Sequence, residues 1–169
     1  MKYRAAIAAL LVVCASFGAV AVAAASELRA SIAEYGRYET KRTGKTERAE
    51  RTASGERYLA DAHRFLERSD VIVGQLGNTF GVEVRFEDFP AGAADITVRR
   101  LHPPLTNPKT GKTTTVSEYD INVTTGQSSH FWFSFDESWE IAEGPWTLQI
   151  VHNGRVIAEK TFKIVVPLN

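Results

Sequence analysis

Phe80, Val82, Val84 and Phe86 alternate with Gly81, Glu83, Arg85 and Glu87 in the stretch "TFGVEVRFE". A period of two puts one set of side chains on a core and the other in water, which is the pattern of a half-buried strand. The habit recurs along the chain. "LRASIAEYGRY" carries Leu28, Ala30, Ile32, Gly36 and Tyr38 at alternate positions, broken only by Glu34. "ADITVRRL" follows it, and "HFWFSF" sets Phe131, Phe133 and Phe135 on one face and Trp132 on the other. There is no βαβ rhythm and no internal repeat, and at most one short helix. About eight short strands of this kind predict an all-β fold, an antiparallel immunoglobulin-like β-sandwich, with a small closed barrel as the alternative.

The N-terminus reads differently. Lys2 and Arg4 precede an uncharged Ala/Val/Leu run to Val22, and Ala23-Ala24-Ala25 closes it with small residues. That is the three-part form of a secretory signal peptide, with cleavage expected after Ala25; a retained anchor is the alternative. The single cysteine, Cys14, lies in this run and follows Val13, which does not suit lipid modification. After cleavage the chain would have no thiol, so a disulfide scaffold, a cysteine nucleophile and Cys-ligated metal sites are all excluded. The expectation is a periplasmic or secreted protein of one domain, residues 26–169, with no membrane span once the leader is removed.

Twenty basic residues balance twenty acidic ones, and losing Lys2 and Arg4 leaves eighteen against twenty. A nucleic-acid binder carries a clear basic excess, so none is expected. Two segments read as interruptions. Residues 40–57, "TKRTGKTERAERTASGER", have six basic and three acidic residues and no large apolar one, which predicts a long mobile polar loop. "HPPLTNPKTGKTTT" has three prolines and is not expected to continue a central strand. "RYLADAHRFLERSDVIV" fits a helical face at Tyr58, Ala62 and Phe65, while its second half favours a strand.

The C-terminal stretch "EGPWTLQIVHNGRVIAEKTFKIV" has apolar arms around Asn153-Gly154, the mark of a hairpin. A two-residue turn would send Trp146, Leu148 and Ile150 to one face and Ala158, Phe162 and Ile164 to the other. A three-residue loop of His152, Asn153 and Gly154 would pair Ile150 with Val156 and Leu148 with Ala158, restoring one face. The bulged loop is therefore predicted, with Lys160 opposite Trp146 and its stem along that ring.

"AEYGRYE", "QLGNTFGVEVRF", "RRLHPP" and "EGPWTLQIVHNGRVIAEKTFKIV", spread from about Ile32 to Val165, resemble the bacterial family known as domain of unknown function 3859. The resemblance implies an exported β-sandwich and brings no catalytic residue, ligand or substrate with it.

Chemistry is sparse. Gly44-Lys45-Thr46 and Gly111-Lys112-Thr113 look like the end of a phosphate-binding loop, but Glu39 and Thr106 stand where its first glycine belongs. His63, His102, His130 and His152 lack the short spacing of metal ligands, and no G-x-S-x-G occurs. No cofactor, metal or catalytic set is expected. Two binding candidates remain. Arg99, Arg100 and His102 run into Pro103-Pro104 and could meet a carboxylate or phosphate, against the plainer reading of a protected strand edge. Trp132, on the non-core face of its strand, could stack on a sugar or anchor a partner, against the plainer reading of a ring covered by a neighbouring loop. The preferred function is a non-enzymatic binding or interaction module of the cell envelope, its partner an envelope protein or glycan. The alternatives are a hydrolase with a dispersed site and a structural or chaperone-like subunit pairing through a sheet edge.

Overall fold

A computed structural model describes residues 27–87 and 92–167. The predicted leader, residues 1–25, lies outside the described residues. Nine strands follow in order: β1 (Arg29–Arg48), β2 (Glu56–Glu67), β3 (Val71–Val73), β4 (Thr79–Glu87), β5 (Ala93–Thr106), β6 (Thr113–Thr124), β7 (Ser128–Ser134), β8 (Gly144–His152) and β9 (Arg155–Val165). A single 3₁₀ turn, Ser138–Glu140, lies between β7 and β8. One sheet has the order β2-β1-β4-β7 and the other β3-β9-β8-β5-β6. Neighbours are antiparallel throughout except β3 and β9, which run parallel over three residues. The two sheets form the expected sandwich.

The alternating faces meet as read from the sequence. Phe80, Val82, Val84 and Phe86 are all buried, as are Phe131 and Phe135, and they pack against Ile96, Val98, Trp146, Leu148, Ile150, Phe162 and Ile164 of the other sheet. Cross-strand and cross-sheet aromatic contacts fill the centre: Phe80 lies edge-on to Phe162 at 5.1 Å between centroids, and Phe133 tilts against Trp146 at 4.8 Å.

Three sequence expectations give way. Residues 40–57 are not a long loop: β1 continues to Arg48 and β2 starts at Glu56, so only Ala49–Gly55 is a connection. The first half of β1 pairs with β4, as far as Tyr38↔Thr79, and its second half pairs with β2 from Arg37↔Glu67 to Arg48↔Glu56. The result is a two-stranded arm that departs from the sheet at Tyr38. A ribbon whose faces are largely wet needs no apolar alternation, because its ladder is made of backbone bonds alone. Its tip is docked rather than free. Glu118 N donates to Arg51 O at 3.0 Å, Asn107 Nδ2 donates to Ala53 O at 3.2 Å, and Ala49, Thr52 and Ala53 are buried.

The second correction concerns the prolines. β5 runs through Pro103 and Pro104 to Thr106, with its ladder to β6 irregular between Leu101 and Leu105. The β8 pairing stops at Leu101, so the two missing N–H groups fall where no ladder bond is required.

The third is the hairpin. Asn153 has φ 49° and Gly154 φ 77°, and His152 pairs with Arg155, which makes a two-residue type I′ turn with Gly154 inside it. The three-residue loop does not form. The conflict of faces is resolved one pair further along, where a bulge leaves Ile157 unpaired between Val151↔Val156 and Ile150↔Ala158. From there Leu148 faces Lys160 and Trp146 faces Phe162, giving one inner face from which Val156 is turned out, 43 % exposed. Lys160 thus sits on the inner face, opposite Leu148 and not Trp146. Its ammonium lies 3.7 Å above the Tyr35 ring centroid and pairs with the Asp70 carboxylate at the rim.

Candidate functional site

The arm spans one open side of the sandwich. Its tip holds β6 of one sheet, and His63, near its root, packs on β7 of the other, against Trp132 at 5.5 Å and His130 at 3.6 Å between ring centroids. Beneath it lies a cleft of about 270 Å³. Arg57, Tyr58 and Leu59 of the arm, Arg100 and Tyr119 of one sheet, and His130 and Trp132 of the other contribute to its lining.

The four residues singled out in the sequence fall in three places. Arg100 and Trp132 meet: Arg100 Nη2 reaches across the gap between the sheets and donates to Trp132 O at 2.7 Å. Its guanidinium carbon is 5.2 Å from the Tyr119 ring centroid, and Arg57 approaches the same ring to 4.9 Å. Arg100 Nε is buried and has no hydrogen-bond partner in the described structure. Trp132 is half-buried, its ring covered on one side by His63 of the arm. Arg99 instead points to the outer surface, where Nε binds the Glu118 carboxylate.

His102 is 6 % exposed and belongs to the core. Nδ1 is 2.8 Å from Pro103 O, which can only accept, so Nδ1 carries the proton and Nε2 accepts from Ser117 Oγ at 3.0 Å. Its ring tilts against Trp146 at 5.0 Å. Burial holds His102 below the ordinary imidazole range, and the Arg100 charge adds to this against the pull of the Pro103 carbonyl. The unfolded chain therefore takes up a proton first, so this residue's contribution is intact above about pH 6.5 and is lost as pH falls below it. In urea unfolding at about pH 7 and pH 5, His102→Gln should lose less stability on acidification than the unchanged protein. Equal losses in both would show that His102 does not stay neutral in the folded state.

Sequence reasoning did not single out Tyr58, His63 or Tyr119: Tyr58 and His63 lie in a segment read as part helix and part strand, whose pairing with residues 40–48 was not foreseen, and Tyr119 comes from β6. The signal available was the turn-forming "TASGE" between Thr-rich and Tyr-containing flanks. Another missed residue is Glu140, 7 % exposed, whose Oε2 accepts from Asp136 N at 2.8 Å and Glu137 N at 3.0 Å and closes the 3₁₀ turn at the end of the cleft. Burial raises its carboxyl above the usual range, while those two N–H groups oppose the shift.

His102 is bonded to the Ser117 hydroxyl in a pair that is sealed beside Trp146. His130 faces Glu83 at 3.5 Å on the outer side of the sheet. No group of three or more His, Cys, Asp or Glu among the described residues is arranged to hold a metal ion.

An immunoglobulin-like sandwich with an arm-covered cleft is the class these features define. Residues 27–164 match the family described as "Domain of unknown function (DUF3859)", and the chain belongs to that family. No curated protein matches it. Among solved structures it is similar to an immunoglobulin-like protein from Pseudomonas aeruginosa, at 22 % identity and TM-score 0.61, covering 84 % of this chain and 99 % of that one. A likeness at that identity speaks for the fold alone. A β-D-glucoside glucohydrolase from Trichoderma reesei shares 16 % identity over 83 % of this chain but only 19 % of its own, at TM-score 0.32, too low to support an argument.

Proposed function

We propose that the chain is an exported, non-enzymatic binding module of the cell envelope, and that its ligand occupies the cleft beneath the β1–β2 arm. The observation that carries this is the meeting of Trp132, Arg100 and Tyr119 across the gap between the two sheets, under Tyr58 and Arg57 of the arm. Aromatic faces beside guanidinium groups suit a ligand with a ring and a polar or anionic substituent, such as a sugar of an envelope glycan. Export is supported by Lys2 and Arg4 ahead of the apolar run to Ala25. The sealed His102–Ser117 pair speaks against a hydrolase. Strand addition at β7 and β6 is opposed by bonds already made there, the Arg100 bond to Trp132 O and the Glu118 N bond to Arg51 O of the arm tip.

The test is titration with soluble envelope glycan fragments, followed by protein fluorescence. Trp132→Ala should weaken binding by about tenfold or more, as expected for a stacking residue worth about 1–3 kcal/mol. Binding of equal strength by both proteins would remove the cleft from consideration, and no binding to any fragment would remove the glycan reading.

A further inference from the structure

The imidazoles of His63 and His130 hold the arm on β7 just beyond its root, and we propose that they form a proton-operated latch: protonation of the pair lifts this part of the arm and uncovers Trp132 in the cleft wall. The inference rests on the cleft being the binding site, and it concerns how that site is regulated.

The geometry is that of two titratable rings forced together. Their centroids are 3.6 Å apart with planes at 42°, and Trp132 and Tyr38 flank them at 5.5 Å from His63 and 6.4 Å from His130. The other ionisable groups facing the pair come from the sheet. Glu83 of β4 lies 3.5 Å from His130 Nε2, and Glu34 of β1 accepts a bond from the Tyr38 hydroxyl at 3.3 Å. On the arm itself, Arg64 is committed to Glu39, and Thr40 is the ladder partner of His63. Both carboxylates lie on the sheet side, beside His130 and away from the arm. Charge on both rings puts like charge ring against ring, and His63, which is exposed, recovers full hydration by moving away.

Burial, followed by the His63 charge, holds His130 below the ordinary imidazole range, and the carboxylates of Glu83 and Glu34 pull the other way without winning. The closed arm then binds fewer protons than the lifted one. It is favoured above about pH 6.5 and loses that preference as pH falls through this value. The tip is fastened through other groups, by Glu118 N donating to Arg51 O and by Arg51 Nη2 to Asp120 at 2.8 Å, so it remains on β6 as the part around His63 moves.

Proton NMR on the whole chain tests this without any ligand. Ring-to-ring nuclear Overhauser contacts of His63 with His130 and Trp132 should be present at about pH 7.5 and lost by about pH 5, while the core contact between Phe80 and Phe162 persists. In His63→Gln, removing the like charge should raise the proton affinity of His130 by roughly threefold or more. Contacts unchanged over that range, or a His130 titration unmoved by His63→Gln, would overturn the latch. The two readings fail separately: a Trp132-dependent ligand bound equally at both pH values, with the ring contacts intact, sinks the latch alone, and an arm that lifts in a protein binding nothing sinks the cleft alone.

Discussion

Trp146→Ala should lower stability by about 3–5 kcal/mol, the range for removing a large buried aromatic from a core that cannot collapse around the gap. The residue is 2 % exposed and sits in β8, the middle strand of its sheet, with rings on every side. Phe133 at 4.8 Å, Phe135 at 5.7 Å and Phe80 at 5.9 Å reach it from the opposite sheet and its connections, and His102 at 5.0 Å from its own. Removing the indole therefore separates the two layers at their tightest point. It also orphans a carbonyl, since Nε1 donates to Ala142 O at 3.0 Å in the run leading into β8. Trp146→Phe keeps most of the ring and loses that bond, so it should cost less, about 1–3 kcal/mol. For a domain of this size the Ala variant should melt about 10 °C or more below the unchanged protein. Thermal unfolding of the two variants side by side checks this, and an Ala variant within about 1 kcal/mol of the unchanged protein would show that the sheets are joined elsewhere.

Period-two alternation made the sandwich legible wherever one face of a strand is dry and the other wet. β4 was read over its full length because Phe80, Val82, Val84 and Phe86 leave no second assignment. The method fails where the contrast between faces disappears. The arm has Thr, Lys, Arg and Glu on both sides, and what holds it is a backbone ladder with a docked tip, neither of which has a side-chain period. At the last hairpin the failure is subtler. Val156, Ile157 and Ala158 are all apolar, so each phase of the alternation looks satisfied, and the position of the unpaired residue cannot be counted out. Turn chemistry decided the matter, since Asn-Gly adopts the type I′ geometry readily and the bulge could then settle at Ile157. Half of the candidate site was visible for the same physical reasons. Trp132 stood on the wrong face for a core residue, and Arg100 belonged to the cationic run Arg99, Arg100 and His102 ahead of Pro103-Pro104. Their neighbours Tyr58 and His63 were hidden because the arm brings them there across more than forty residues of sequence, through contacts no local pattern encodes.

The arm's direction is fixed at its root, and Gly36→Ala should therefore be a strongly damaging single-methyl change. Gly36 pairs with Gly81 where β1 is about to turn from β4 to β2, and it has φ +142°, a conformation L-residues rarely adopt. A Cβ placed there would stand 2.0 Å from Glu67 O and 2.9 Å from both Arg68 Cα and Ser69 N, so it meets backbone, which cannot rotate out of the way as a side-chain tip would. Conformational strain costs about 1–3 kcal/mol and overpacking a similar amount, so a loss of about 3 kcal/mol or more is expected. Gly44→Ala separates the two causes. It lies further out on the same strand with φ +75° and nothing within 4 Å of its added carbon, so it should cost about 1 kcal/mol from conformation alone. Urea unfolding of both variants gives the comparison. If the two cost the same, the β2 backbone at Glu67–Ser69 yields to the methyl group, and the root of the arm is not what aims it over the cleft.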